Sequence, residues 1–270
     1  SGRLALAHGL ALFDGTYLGG ITNSGTIAAT ATATTGPGAA TATGVLLCGC
    51  VGPFSSGIAN SGTIRATAQG RSSAKALGAS LNSETLSGGL TNGGTISATA
   101  NATNAALAIG IGIGFEGPLS LFSGGLTNSG TVSASAIASG SGFATATGIV
   151  VLASSLGGNI TNSAGTIAAI AQATSAIAIG LHVETDTIFA GNIVNSGTIS
   201  AAVTASGGTG TAYGMDVSGN GMSGTITNSG TVTASANQGT ALGIRAVSFT
   251  GTIVNSGTIG PGGMVVAGST

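Results

Sequence analysis

The chain has 270 residues, of which 4% are charged and 3% aromatic, with no Trp, 51 Gly and a formal net charge of −1. Disordered chains are kept open by low hydrophobicity and high net charge; with a mean hydropathy of +0.55 this chain collapses instead. Five basic against six acidic residues leave no electrostatic footprint for nucleic acid or an anionic membrane surface. No apolar run reaches the ~20 residues of a spanning helix, and the aromatic girdles of a membrane barrel are missing, so neither nucleic-acid binding nor membrane insertion is expected.

Read in chain order, two short patterns alternate. The segment from Arg3 to Leu12 holds ALAHGLAL, and ITNSGTI follows from Ile21. The second pattern then returns as TATGVLL, AKALGASL, ALAIGIGI, ATATGIVV, AIAIGLHV, TAYGMDV and TALGIRAV, with glycines at 9, 44, 78, 110, 148, 180, 214 and 243. Between these stand IANSGTI, LTNGGTI, LTNSGTV, ITNSAGTI, IVNSGTI, ITNSGTV and IVNSGTI. Their asparagines, Asn23, Asn60, Asn92, Asn128, Asn162, Asn195, Asn228 and Asn255, are 37, 32, 36, 34, 33, 33 and 27 residues apart. A motif that barely changes at a spacing that does is the mark of a solenoid whose coils bulge outward through loops.

Period-2 alternation makes these segments strands. Ile27, Ala29 and Ala31 take the inward face and Thr26, Ala28 and Thr30 the outward one. By the same parity each Asn turns inward at a coil corner, where identical amides stacked at the ~4.8 Å spacing of paired strands form a hydrogen-bonded ladder. Parity changes across the second-pattern Gly, which reads as a bulge or bend. The expected fold is all-β: a right-handed parallel β-helix, or β-solenoid, of about eight coils in a single domain over residues 1–270, making a rod of roughly 38 Å.

The repeated NSGTI unit resembles the I-x-N-x-G-x-I repeats of right-handed parallel β-helix passengers of bacterial autotransporters and related secreted surface proteins. The resemblance covers Leu4 to Ile259. It implies a bacterial cell-surface or extracellular location and roles in adhesion, aggregation or fibre building.

Chemistry is sparse. The outward position after Gly-apolar carries His182, Asp216 and Arg245 in three successive coils, with Glu184 and Asp186 further along the first of these strands; a self-compensating charge ladder is favoured over a catalytic or metal site. No cofactor, metal or catalytic residue is assigned, and an enzyme, including a glycan-active one, is not expected. Cys48 and Cys50 read as free or buried thiols, with a strained disulfide, an intermolecular bond or a metal as alternatives. A Thr column, Thr26, Thr63, Thr95, Thr131, Thr166, Thr198, Thr231 and Thr258, is complete, but its neighbour decays after Thr30, Thr67 and Thr99, so a two-column ice-binding lattice fails.

Assembly is the stronger expectation. Leu6, Leu77, Leu107, Ile109, Ile177, Ile179 and Leu242, with Tyr213, fall on outward positions and predict an exposed apolar interface stripe unless loops cover it. The chain enters at Arg3 in the second pattern and leaves after the eighth NSGTI, with no charged residue from Gly251 to Thr270. Ends that match like successive coils predict head-to-tail stacking, a non-closing contact that builds filaments. The expected partner is therefore another copy of the chain, with other cell-surface or matrix components as possible further partners. An adhesin passenger segment presenting loops on the solenoid is the alternative.

Overall fold

A computed structural model describes residues 3–13, 15–17, 19–47, 51–116 and 119–268. Every regular element in them is a β-strand, and all the strand pairs are parallel across three sheets of 13, 8 and 8 strands. The protein is a parallel β-solenoid. The eight asparagine corners bound seven full turns, so there are about seven coils where a count of corners gave about eight.

Each turn runs through a long strand, a three- or four-residue corner strand and a Thr/Ala strand. In the second turn these are Ala39–Leu47, Ile58–Asn60 and Thr63–Gly70. Corner strands pair in the register the repeat demands, Ile21 with Ile58 and Asn23 with Asn60 through to Asn228 with Asn255. The Thr26 column is likewise continuous to Thr258.

Two cores follow from the change of parity in the long strand. Before Gly44, Ala40 and Ala42 pack on Ala29, Ala31 and Ala33 in an alanine cluster repeated along the rod. After it, Val45 and Leu47 join Ile21, Phe54, Ile58 and Ile64 in an aliphatic cluster. The glycine is required by close approach. A Cβ on Gly44 would lie 2.5 Å from the Gly78 carbonyl oxygen and 2.7 Å from Ile64 Cγ2, and Gly110 would meet Gly148 O at 2.5 Å and Val132 Cγ1 at 2.6 Å. Overpacking of this kind costs ~1–3 kcal/mol or more, so Gly in one pattern and Ile or Val in the other are two halves of one contact.

The asparagines form a complete ladder. Each Nδ2 from Asn23 to Asn228 donates to the Oδ1 of the next Asn at 2.7–2.8 Å, and all of these but Asn195 also reach the carbonyl two or three residues on, as Asn162 does to Gly165 at 3.1 Å. Buried polar groups are thereby satisfied along the axis rather than by solvent. The inserted residue of the fifth corner, Ala164, takes φ 59°, and its N–H donates to Ser196 Oγ at 3.2 Å, so the insertion bulges outward without moving Asn162 from the ladder.

The long sheet changes character midway. Up to Ile113 the long strands stop after nine residues, and a second short strand such as Thr85–Leu86 or Leu121–Phe122 completes the turn. From Phe143 one strand does both: Phe143–Leu156 pairs with Ala105–Ile113 at its start and with Leu121–Phe122 at its end.

The apolar stripe expected on the outer face is covered over much of its length, although Leu6 is exposed. Leu77 and Ile109 are 1% accessible and form a cluster with Val150, backed by Leu107, Phe115 and Leu152. They do point outward, but Phe115 folds back over them, and Glu116 fixes that segment: its N–H donates to Asn82 Oδ1 at 2.9 Å, its Oε2 accepts from Ser80 Oγ at 3.0 Å, and its other oxygen pairs with Lys75. Gly112 leaves the space for this cover, since a Cβ there would stand 3.2 Å from Phe115 Cβ. Leu242 is also 1% accessible, for a different reason: it pairs with Met215 and lies in the aliphatic core. Leu107, Ile177 and Ile179 are half-buried.

Candidate functional site

The densest chemistry in this charge-poor chain lies on the outer face of the long sheet, on the strands Ser175–Phe189, Gly210–Met222 and Gln238–Phe249. His182 pairs in register with Asp216, as the repeat predicts. Arg245 does not continue that row. Asp216 pairs with Gly243, and Arg245 pairs with Ser218, one outward position further along. The last full repeat is the shortest, 27 residues between asparagines, and its strand is set two residues off the glycine alignment. The ladder of three is therefore a pair plus a diagonal.

The diagonal still closes. Arg245 Nη2 donates to Asp216 Oδ2 at 2.6 Å, reaching back over Gly243, which has no side chain to obstruct it. The same carboxylate oxygen is 3.2 Å from His182 Nδ1, a separation that suits an ion pair, although the ring nitrogen is not aligned as a hydrogen-bond donor. On its other side His182 Nε2 lies 3.4 Å from Glu184 Oε2, and the Arg245 guanidinium sits 5.9 Å from the centroid of the Tyr213 ring. Asp216 is almost wholly buried while Arg245 is largely exposed, so the carboxylate depends on a partner that solvent also contacts.

Two features of the site have no trace in the repeat. In Ser175–Phe189, Asp186 and Thr187 together oppose a single residue on each side, Ser154 and Asn220, which makes a β-bulge. Bulges re-aim side chains and interrupt a ladder. This one is held by Thr187 Oγ1 donating to Ser154 O at 2.6 Å, by Ser154 Oγ donating to Asp186 Oδ2 at 3.3 Å and by Asn220 Nδ2 donating to Asp186 O. Next to it are unpaired groups. Of four buried side-chain polar atoms without a hydrogen-bond partner among the described residues, three are here: His182 Nδ1, Thr185 Oγ1 and Asp216 Oδ1. Each such atom costs ~1–3 kcal/mol, so this patch is held at the expense of stability.

Beside the bulge is a cavity of about 490 Å³ whose lining includes Glu184, Asp186, Ser218, Asn220 and Arg245. A second, of about 290 Å³, shares Glu184 and Asp186 and extends to Ser154 and Ser120. Among the described residues no three His, Cys, Asp or Glu side chains are grouped to hold a metal ion. Cys48 and Cys50 lie outside the described residues.

Comparison with protein-family models, with curated proteins and with solved structures gave no match. The functional reading therefore rests on the molecule itself.

Proposed function

We propose that the chain is a structural subunit of an extracellular or cell-surface filament of the kind built by autotransporter-passenger-like β-helix proteins, in which copies stack head to tail and continue one another's solenoid. The supporting observation is that every coil makes the same contact with the next: the asparagine ladder and the corner strands run in register from the first corner to the last.

Backbone and side-chain polarity fit the same contact. Coil-to-coil pairing is parallel and in register throughout the described residues, so the contact one coil makes with the next is one that a coil of another copy can also make; β-strand edges template such pairing. The ladder has direction: every amide donates toward the C-terminal end, so Asn255 Nδ2 of one copy would donate to Asn23 Oδ1 of the next.

Electron microscopy and sedimentation of the purified chain test this. The expected result is filaments at high concentration for the native sequence and short rods for a Leu6→Lys, Val265→Lys double variant. Short monodisperse rods from the native sequence at every concentration would overturn the reading.

A further inference from the structure

The groove beside the β-bulge is unexplained by stacking, because most of its lining comes from the Ser175–Phe189, Gly210–Met222 and Gln238–Phe249 strands rather than from the terminal one. We infer that it binds a linear glycan laid along the solenoid axis, one rich in free hydroxyls and neutral or amino-substituted rather than acidic.

Position and shape give the first argument. The two cavities share Glu184 and Asp186 and together run from Ser154 on the Phe143–Leu156 strand to Ala267 on Met264–Gly268. That is four coil steps, ~19 Å at the spacing of paired strands. Two shallow depressions that follow one another along the axis and share Glu184 and Asp186 suit several units of a polymer. Upstream, Phe115 and Glu116 occupy the corresponding surface.

The lining supplies the second. Glu184 and Asp186 accept hydrogen bonds from hydroxyls; Asn220 and Arg245 donate; Ser218 does either. Val247 and Ala267 add an apolar strip for the C–H faces of sugar rings. Beneath them Thr185 turns inward, 3% accessible, in line with Ala153 and, beyond Gly219, with Ala246 of the aliphatic core. Asp216, 2% accessible with Oδ1 unpaired, fixes Arg245 from beneath. A bulge that re-aims Asp186 and a guanidinium already held in place are what a polar binding site needs.

Charge decides the class of glycan. Three carboxylates, Glu184, Asp186 and Asp216, face one guanidinium, Arg245, with His182 between them. The excess of negative charge repels a polyuronate and accommodates neutral or amino sugars.

The probes are cellohexaose, chitosan hexamer and a hexa-galacturonate, titrated into the intact chain by calorimetry, with backbone NMR shifts locating the contact. The expected result is binding of cellohexaose or the chitosan hexamer, shifts confined to residues 184–187, 218–220 and 245–247, and no binding of the galacturonate. A Glu184→Gln, Asp186→Asn variant, altered only at exposed side chains, should lose tenfold or more in affinity while keeping its native circular dichroism. Failure of all three probes to bind, equal or tighter binding of the galacturonate, or full affinity in the variant would each overturn the inference. Filament formation is read separately and is not affected by either outcome.

Discussion

The same column of outward positions is covered in two different ways along the rod. Paired positions on successive long strands run Ser80, Gly112, Val150, His182, Asp216 and Gly243. At its upstream end the chain supplies its own cover, Phe115 resting on Gly112 and capping Leu77, Ile109 and Val150. Downstream it does not. There the strand continues unbroken, the column becomes charged, and Arg245 bends over Gly243 to meet Asp216. In both places a glycine makes the room. The upstream solution stabilises an apolar patch and closes it; the downstream one leaves buried polar atoms unpaired and a groove open. The inward scaffold is common to both, so the difference is confined to side chains that the coil does not need in order to wind.

That separation is breakable first at the scaffold. Gly110 lies beneath the upstream cover and Gly180 beneath the charged patch, and a Cβ on either would stand 2.5 Å from the next glycine's carbonyl oxygen. Gly110→Ala and Gly180→Ala are expected to destabilise alike, by about 3 kcal/mol or more, because neither the backbone nor the facing Val132 or Ile199 can yield. Chemical denaturation checks it, and a large difference between the two variants would mean that the halves do not share one scaffold.

The ladder gives the next largest effect. Asn128→Ala strips the donor from Asn162 Oδ1 and leaves Asn92 Nδ2 only its longer contacts to Gly94 O and Thr131 O, at ~1–3 kcal/mol for each buried group that loses its partner. Asn195→Ala does the same downstream. Each should cost about 3 kcal/mol, against under about 1 kcal/mol for Asn255→Ala at the exposed end, measured as shifts of the denaturation midpoint.

Between the two covers, the prediction turns asymmetric. Arg245→Ala leaves Asp216 buried beside His182 alone, and removing one partner of a buried charge costs several kcal/mol; with the arginine largely exposed, about 2 kcal/mol is expected here. Adding a Tyr213 contact to the loss does not change the order. If denaturation shows Arg245→Ala to be neutral, Asp216 is not held by the guanidinium, and the downstream cover is decorative.

What the sequence discloses divides along the same line. The asparagine ladder, the inward Ile and Ala faces and the parity change at each glycine all repeat, and repetition exposes them without any structure. Phe115 and Glu116 do not repeat, so nothing in the pattern indicates that they cover Leu77 and Ile109, and an outward position there is not an exposed one. The glycines that align Arg245 with Asp216 in the sequence stand two residues out of register in the shortest repeat, and the same offset places Leu242 inward. The bulge at Asp186–Thr187 is one extra residue in a coil of ordinary length, hidden because corner-to-corner spacing already varies. A repeat reports what each coil must do, whereas a site is where one coil does something its neighbours do not.

The smallest effect is the most local. Phe115 belongs to the cover and not to the coil, so Phe115→Ala should leave the global midpoint nearly unchanged while uncapping Leu77, Ile109 and Val150. Local opening of this kind appears in hydrogen exchange as lost protection over one cooperative unit. The amides of Gly114 and Glu116, which donate to Leu81 O and Asn82 Oδ1, should exchange faster by about tenfold, equivalent to about 1.4 kcal/mol of local stability, and those of the Ser175–Phe189 strand should not respond. Acceleration that spreads into the downstream strands would show that the two covers are coupled through the sheet, and the outer face would then have to be treated as one surface rather than two.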